Sequence, residues 1–332
     1  MTRLVLFIIA FFLSAAAPPP PPELLSPYVT NGTFDPGDFR WMRGKFSGAS
    51  ASERQSWTAL ASWLDRCTTA AQADMRQELV AMGVREPKIA QQPYRDTICL
   101  TVSSYNVPVT HWTSFEAFIA DLERARPVAD SFLLATRLAV QHGGPRGPTL
   151  ADRLIARPLG EQILRSGLDW GAGQASAAPP LPSGQRSIVM ALITAELALT
   201  DRANTEYLKQ MVTSQGWPDR REVGDFAAHM AWLTAQHADS DPAFQLRILR
   251  LMEPLLPAGG VHPNNYAFLY DRVMLKIAGR QRYGTQAVCR SGAYVAQPLE
   301  EADAVDTLRA TVGLEPLATY LQTLSANSAG CS

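Results

Sequence analysis

Lysine, cysteine and histidine are scarce in this chain, and each scarcity narrows what it can do. Of its 30 basic side chains only Lys45, Lys88, Lys209 and Lys276 are lysine, and the formal net charge is −1. No basic run and no acidic tail occurs, so the concentrated positive surface that nucleic acid requires is missing and no nucleic-acid partner is expected. The arginine excess, with abundant alanine, points to a GC-rich bacterial genome. Cysteine is limited to Cys67, Cys99, Cys289 and Cys331, none in a C-x-x-C pair, which argues against a zinc or dithiol redox centre. The five histidines form no H-E-x-x-H, and G-x-S-x-G, Walker A and strand-borne G-x-G-x-x-G motifs are also absent. No metal and no cofactor is therefore expected. Beyond the N-terminus, no stretch is apolar for long enough to cross a membrane.

The N-terminus itself reads as an export signal. Arg3 is followed by the apolar run Leu4 to Leu13 and by the small residues Ser14 to Ala17. A positive start, a short apolar core and small residues at −3 and −1 are what signal peptidase reads. The run is shorter than the ~20 residues of a comfortable transmembrane helix. Residues 1–16 are read as the signal peptide, which leaves no stable membrane span after cleavage and makes the destination periplasmic or secreted. An even cysteine count in an exported chain favours disulfides, and neighbourhood pairs Cys67 with Cys99 and Cys289 with Cys331, one of three arrangements four cysteines allow. Pro18 to Pro22 favour an extended, stiff conformation, so residues 17–40 are read as a proline-rich spacer.

Helical periodicity dominates the rest, and the fold class expected is mostly α, in two helical halves. Residues 41–168 form an N-terminal helical region. Ser50 with Glu53 is a capping box ahead of the stripe Trp57, Leu60, Ala61 and Leu64, and Thr113 with Glu116 repeats the device. Residues 169–184, rich in glycine, alanine and proline, read as a linker. Residues 185–326 form a C-terminal helical bundle. Helices are expected over 186–199 and from Asp201 to Gly216, then after Asp219, after Asp241-Pro242 and after His262-Pro263. Gln281 to Gln297 alternates around Arg290-Ser291-Gly292 and reads as a short hairpin or structured loop. The linker implies that the C-terminal half folds by itself.

Polar side chains cluster in that half. His237 continues the stripe Val223, Phe226, Ala227, Met230 and Thr234, so it is expected to point inward, with Gln236 before it and Asp239 placed to orient it as a general base. Asp271 and Arg272 are adjacent on one helix and face about 100° apart, so each needs a partner elsewhere. Gln281, Arg282, Tyr283, Thr285 and Gln286 surround Gly284 in a loop dense with donors and acceptors. Trp217 is either a staple in the core or a stacking surface for a ligand ring. His229 and His237, eight residues apart, sit about 80° off each other on a helix and make a poor metal pair. These residues are expected to line one concave site: His237, Asp239 and Asp271 catalytic; Gln236, Arg272, Gln281, Tyr283, Thr285, Gln286 and Trp217 ligand-binding. Each could instead be structural, with His237 satisfied by a backbone carbonyl and the loop bonding to itself.

The order Gly216-Trp217-Pro218, Val223-Gly224, Gln236-His237-Ala238-Asp239, Phe244-Gln245, Asp271-Arg272, Gln281, Tyr283-Gly284-Thr285-Gln286 and Arg309 with Gly313-Leu314 resembles bacterial domain-of-unknown-function family 6624. The resemblance covers about Asp201 to Tyr320 and implies where to look, with no known activity attached. It implies that His237, Asp239, Asp271, Arg272, Tyr283 and Gln286 act together. Three functions compete: handling of a small polar molecule or envelope component, hydrolysis or lysis of an envelope component with His237 as base, and a structural or protein-interaction role. No serine or cysteine has an activating context, so catalysis would use water and acid–base chemistry.

Overall fold

A computed structural model describes residues 19–89, 94–171 and 180–327. The signal segment, residues 172–179 of the expected linker and Cys331 lie outside the described residues. The chain is mostly helical, with two small antiparallel hairpins, β1–β2 (Val29–Thr30 and Thr33–Phe34) and β3–β4 (Ala287–Arg290 and Ala293–Ala296). The N-terminal part carries α1 (Ala51–Ala81), α2 (Thr97–Ser104), α3 (Phe115–His142), α4 (Leu150–Ala156) and α5 (Leu159–Gly171). Next come α6 (Ser183–Gln215), α7 (Arg220–Val223), α8 (Asp225–Gln236), α9 (Pro242–Met252), α10 (Pro263–Ala278), α11 (Val305–Thr311) and α12 (Leu317–Asn327). No helix among the described residues is long and apolar enough to cross a membrane.

Two long helices organise the molecule. α1 has 31 residues and α6 has 33, so each extends close to 50 Å. Their first halves bury Leu60, Trp63, Ile188, Leu192 and Ile193 in an aromatic-rich core with Phe34, Trp41, Phe115 and Phe118. Their second halves bury Met75, Leu79, Leu208 and Met211 in another core, built with α8, α9 and α10. The cores thus divide partway along α1 and α6, and residues on both sides of the expected linker contribute to each. The expected spacer is also folded where it is described: Leu25, Phe34 and Phe39 are buried, and the Trp63 indole donates to the Pro19 carbonyl.

Several local expectations shift for identifiable reasons. Ser50 and Glu53 form the reciprocal capping box. At α3 the cap is Ser114, whose hydroxyl accepts from the Ala117 N–H, one residue beyond Thr113. α3 continues through Pro127. α6 likewise runs through Asp201, because the Asp201 carboxylate is engaged by Arg165 and does not cap a helix. Asp219 caps only the single turn of α7, since Gly224 at φ +84° breaks the chain before α8. That break puts Val223 out of phase with α8 and leaves Phe226 outward, 59% exposed, not on the inner stripe. The β3–β4 hairpin turns at Ser291 and Gly292, both at positive φ, as a two-residue turn with right-handed strand twist requires.

Cys67 and Cys99 are bonded and pin α1 to α2; Cys289 is also disulfide-bonded. The Cys67–Cys99 bridge spans a sequence separation of 32. Replacing both cysteines with alanine is expected to cost about 2–4 kcal/mol, read as a lowered denaturation midpoint. An unchanged midpoint would mean that the aromatic core alone holds α2 in place.

Candidate functional site

The residues expected to share one site fall into three hydrogen-bonded groups. The first lies on one side of α10. Asp271 is fully buried, and its carboxylate accepts backbone N–H bonds from Arg282 (2.8 Å), Tyr283 (2.9 Å) and Thr285 (2.8 Å). Burial pushes its carboxyl upward, opposed by those donors. Gln281, also fully buried, donates to the Gln286 and Gln297 carbonyls and accepts from the Gln286 N–H, tying the loop to the end of the hairpin. Arg309 donates to the Tyr283 carbonyl at 2.6 Å, and the Tyr320 hydroxyl to the Thr285 carbonyl at 2.8 Å. The Gln286 amide donates to the Thr285 hydroxyl. Gly284 sits at φ +66°, and a Cβ there would lie 2.8 Å from Leu317 Cδ1. Asp271, Gln281, Tyr283, Thr285 and Gln286 therefore build a clamp that shapes their own loop, with the Asp271 carboxylate engaged by three backbone N–H groups. Trp217 is buried in the second core, the staple of the two roles considered.

The second group lies on the neighbouring side of α10. Arg272 forks onto Asp239, with Nε 2.7 Å from Oδ1, and Lys276 bonds the same carboxylate. Lys276 also donates to Gln245 Oε1 at 2.9 Å, while the Gln245 amide caps the Ala235 and Gln236 carbonyls at the end of α8. Burial alone would raise Asp239, but the two cations outweigh it and hold the carboxyl well below its usual range. Burial lowers Lys276 to about 8. Asp239 is thus committed to α10 and does not orient His237.

His237 belongs to the third group, whose other members lie on α5 and α6 and were not among the expected site residues. Its Nδ1 lies 2.6 Å from Oε1 of Glu161, on α5. The Glu161 side chain is 0% exposed, whereas His237 keeps 15% of its side chain exposed. Asn204 Nδ2 donates to the other Glu161 oxygen at 2.6 Å. Arg165, one turn beyond Glu161, forks onto Asp201 at 3.0 and 2.9 Å. Burial opposes ionisation of Glu161, but the bonds from His237 and Asn204 outweigh it and hold the carboxyl below its ordinary value. Burial pushes Asp201 up to about 6, against the pull of Arg165. The Asp201 charge also reaches Arg272, so the second and third groups adjoin electrostatically.

An ionised Glu161 calls for the Nδ1–H tautomer of His237, which places the free lone pair on Nε2. Nε2 has no hydrogen-bond partner among the described residues. The arrangement is an oriented, partly exposed base with a buried carboxylate behind it. Donor atoms of Glu161, Asp201 and His237 lie within 4.8 Å of one another, a set the sequence reading did not assemble. Arg165 bonds both Asp201 oxygens, and His237, Gln162 and Asn204 bond those of Glu161, so a cation would compete with these hydrogen bonds. The hydrogen-bonded dyad is the arrangement these contacts favour. His229 and His262 lie apart from it, with Asn265 and with Asp225 and Arg220.

Glu161 and Arg165 could have been noticed as an i, i+4 pair, but that spacing reads as an ordinary surface ion pair on one helix. Asp201 and Asn204 show the spacing i, i+3 on α6, a signal masked by reading Asp201 as a helix start. No curated protein and no solved structure matches the chain. The match to a family model covers α6 and everything beyond it, and so includes Asp201, Asn204 and His237 but not Glu161 or Arg165. Residues 184–330, in the C-terminal part of the chain, match the model of a family of unknown function, DUF6624.

Proposed function

We propose that this is an exported bacterial protein whose C-terminal half handles a small polar ligand, with His237 as a general base oriented by Glu161. The observation that carries the reading is the 2.6 Å contact between His237 Nδ1 and a fully buried carboxylate, with Nε2 left unengaged. A carboxylate behind Nδ1 fixes the tautomer and stabilises the imidazolium that forms when Nε2 takes a proton. The form of catalysis that suits it is hydrolysis or elimination on an envelope component, with Nε2 taking the proton of water or of the substrate. Export is supported by the Arg3-to-Ala17 pattern and by the Cys67–Cys99 bridge, since disulfides persist in oxidising compartments.

A structural reading has its own observation. Clefts of ≈390, ≈320, ≈560 and ≈490 Å³ open elsewhere and none is lined by His237. On that reading the dyad simply ties α5 to α8. Two substitutions separate the readings. His237→Ala leaves Glu161 buried with Asn204 and a long Gln162 contact at 3.4 Å, and should cost about 2 kcal/mol on either reading. His237→Asn places an amide nitrogen near the position of Nδ1, keeping the bond to Glu161 while removing Nε2. A thermal-shift screen of envelope sugars, peptides and nucleotides should yield a ligand that stabilises the native chain and leaves His237→Asn unmoved, although the two melt alike without ligand. Equal ligand-induced shifts in both proteins would leave the structural tie as the explanation.

A further inference from the structure

The cleft of ≈390 Å³ lies between the end of α1, Tyr94–Arg95, α6 and α9, where the two parts of the chain meet. Its α6 wall is one helical face, Arg202, Thr205, Glu206 and Lys209, at spacings of three, four and seven residues. Its α9 wall carries Asp241, Phe244 and Arg247. Most of the charge is internally matched. Arg95 forks onto Glu78 at 2.6 and 2.8 Å, and Lys209 sits between Glu206 (2.9 Å) and Asp241 (2.8 Å).

Arg202 and Arg247 are not matched. Neither has an ion pair or hydrogen bond among the described residues, although both line this cleft. Glu78, Glu206 and Asp241 line the same cleft but are engaged by Arg95 and Lys209, so the two guanidinium groups face one concavity with no ion pair of their own. Each offers a planar fork suited to oxyanions. A carboxylate can be satisfied by one fork, whereas a phosphate monoester has the oxygens and the charge to take two. Tyr94 adds ring surface; Phe244 also lines the cleft but is only 3% exposed, with Lys209 Nζ 5.6 Å from its centroid. The volume falls in the range of small-molecule sites.

We infer that this cleft binds a small phosphate monoester, its phosphate held by Arg202 and Arg247 and its organic portion lying against Tyr94. The inference does not rest on the proposed role of His237, and the site is distinct from the Glu161–His237 dyad. It places a ligand contact from the N-terminal part, Arg95 or Tyr94, opposite residues of the family domain.

Calorimetric titration of the full chain at low salt tests this, with phenyl phosphate, inorganic phosphate and benzoate as probes. Phenyl phosphate should bind most tightly, inorganic phosphate less, and benzoate least. The Arg202→Gln/Arg247→Gln double variant should weaken phenyl phosphate roughly tenfold or more. Its melting point should stay put, because neither side chain has a partner to lose. If the double variant melts lower, Arg247→Gln alone carries the test, since that side chain is exposed. His237→Asn should bind phenyl phosphate as the native chain does, which separates failure of this inference from failure of the dyad reading. Binding unchanged in the arginine variants, benzoate binding as tightly as phenyl phosphate, or no binding of phenyl phosphate below about 10 mM would overturn it.

Discussion

Expressed from Ser183 onward, the C-terminal half should fail to unfold cooperatively, even though that is almost where the family match begins. Such a chain keeps α6 whole but strips the first half of it bare. Ile188, Val189, Leu192, Ile193 and Leu197 would lose the core they share with α1, α2, α3 and α5. The second core would lose Met75, Leu79 and Leu154, all from the N-terminal part. Each fully buried aliphatic side chain contributes about 1.5–3 kcal/mol, so the loss is on the order of 10 kcal/mol, as large as the whole stability of a typical domain. Polar ties go too: the Lys88 N–H that donates to the Ile277 carbonyl, the Arg250 bond to the Met82 carbonyl, and Glu161 behind His237. Circular dichroism should show helix without a sharp thermal transition, and dye binding should report exposed apolar surface. A sharp melt near that of the full chain would show that the second core stands by itself. A chain beginning at Pro19 restores α1 together with Leu25, Phe34, Phe39 and Trp41 of the first core and should recover the transition.

How much of this was legible beforehand depends on the range of the interaction. The Ser50–Glu53 box, the Asp241 cap with its bond to the Phe244 N–H, the Gly216 and Gly279 stops and the Ser291-Gly292 turn are set by neighbours within a few residues, and the sequence shows them. So does the face of α10, where adjacency sends Asp271 and Arg272 to different partners. What the sequence does not carry is which distant carboxylate meets which base. Asp239 is two residues from His237, yet it pairs with Arg272 and Lys276, 33 and 37 positions away. Glu161 lies 76 positions from His237 and on the far side of a glycine-rich stretch that reads as a boundary. Chain proximity favoured Asp239, and packing of α5 against α6 decided for Glu161. Both cores cross the expected boundary for a related reason. Low periodicity over 169–184 reports only that this segment lacks a helical pattern, whereas the sharing of α1 and α6 between two cores is a property of helices long enough to outrun either one.

Replacing Asp271 with alanine should be the most damaging single substitution in the C-terminal half, at about 3–5 kcal/mol. The reason lies in what its carboxylate does for the backbone. Residues 282–285 turn sharply after α10, and three of their N–H groups converge inward, where no water replaces a missing acceptor. Truncation leaves those donors unsatisfied at about 1–3 kcal/mol each, softened by whatever the loop recovers by moving outward. Movement has consequences, because the Tyr283 carbonyl holds Arg309 and the Thr285 carbonyl holds Tyr320, so α11 and α12 are seated through the same loop. Asp271→Asn should cost less, about 2 kcal/mol, since its amide oxygen still accepts while its NH₂ faces at least one N–H of the loop. Denaturant titration measures both losses. Hydrogen exchange locates them: the amides of Arg282, Tyr283 and Thr285 should lose protection first, with α11 and α12 following, while His237 and the α5 contact stay protected. A loss below about 1 kcal/mol for the alanine variant, or one accompanied by deprotection at α8 instead of the loop, would contradict the clamp and return Asp271 to the candidates for chemistry.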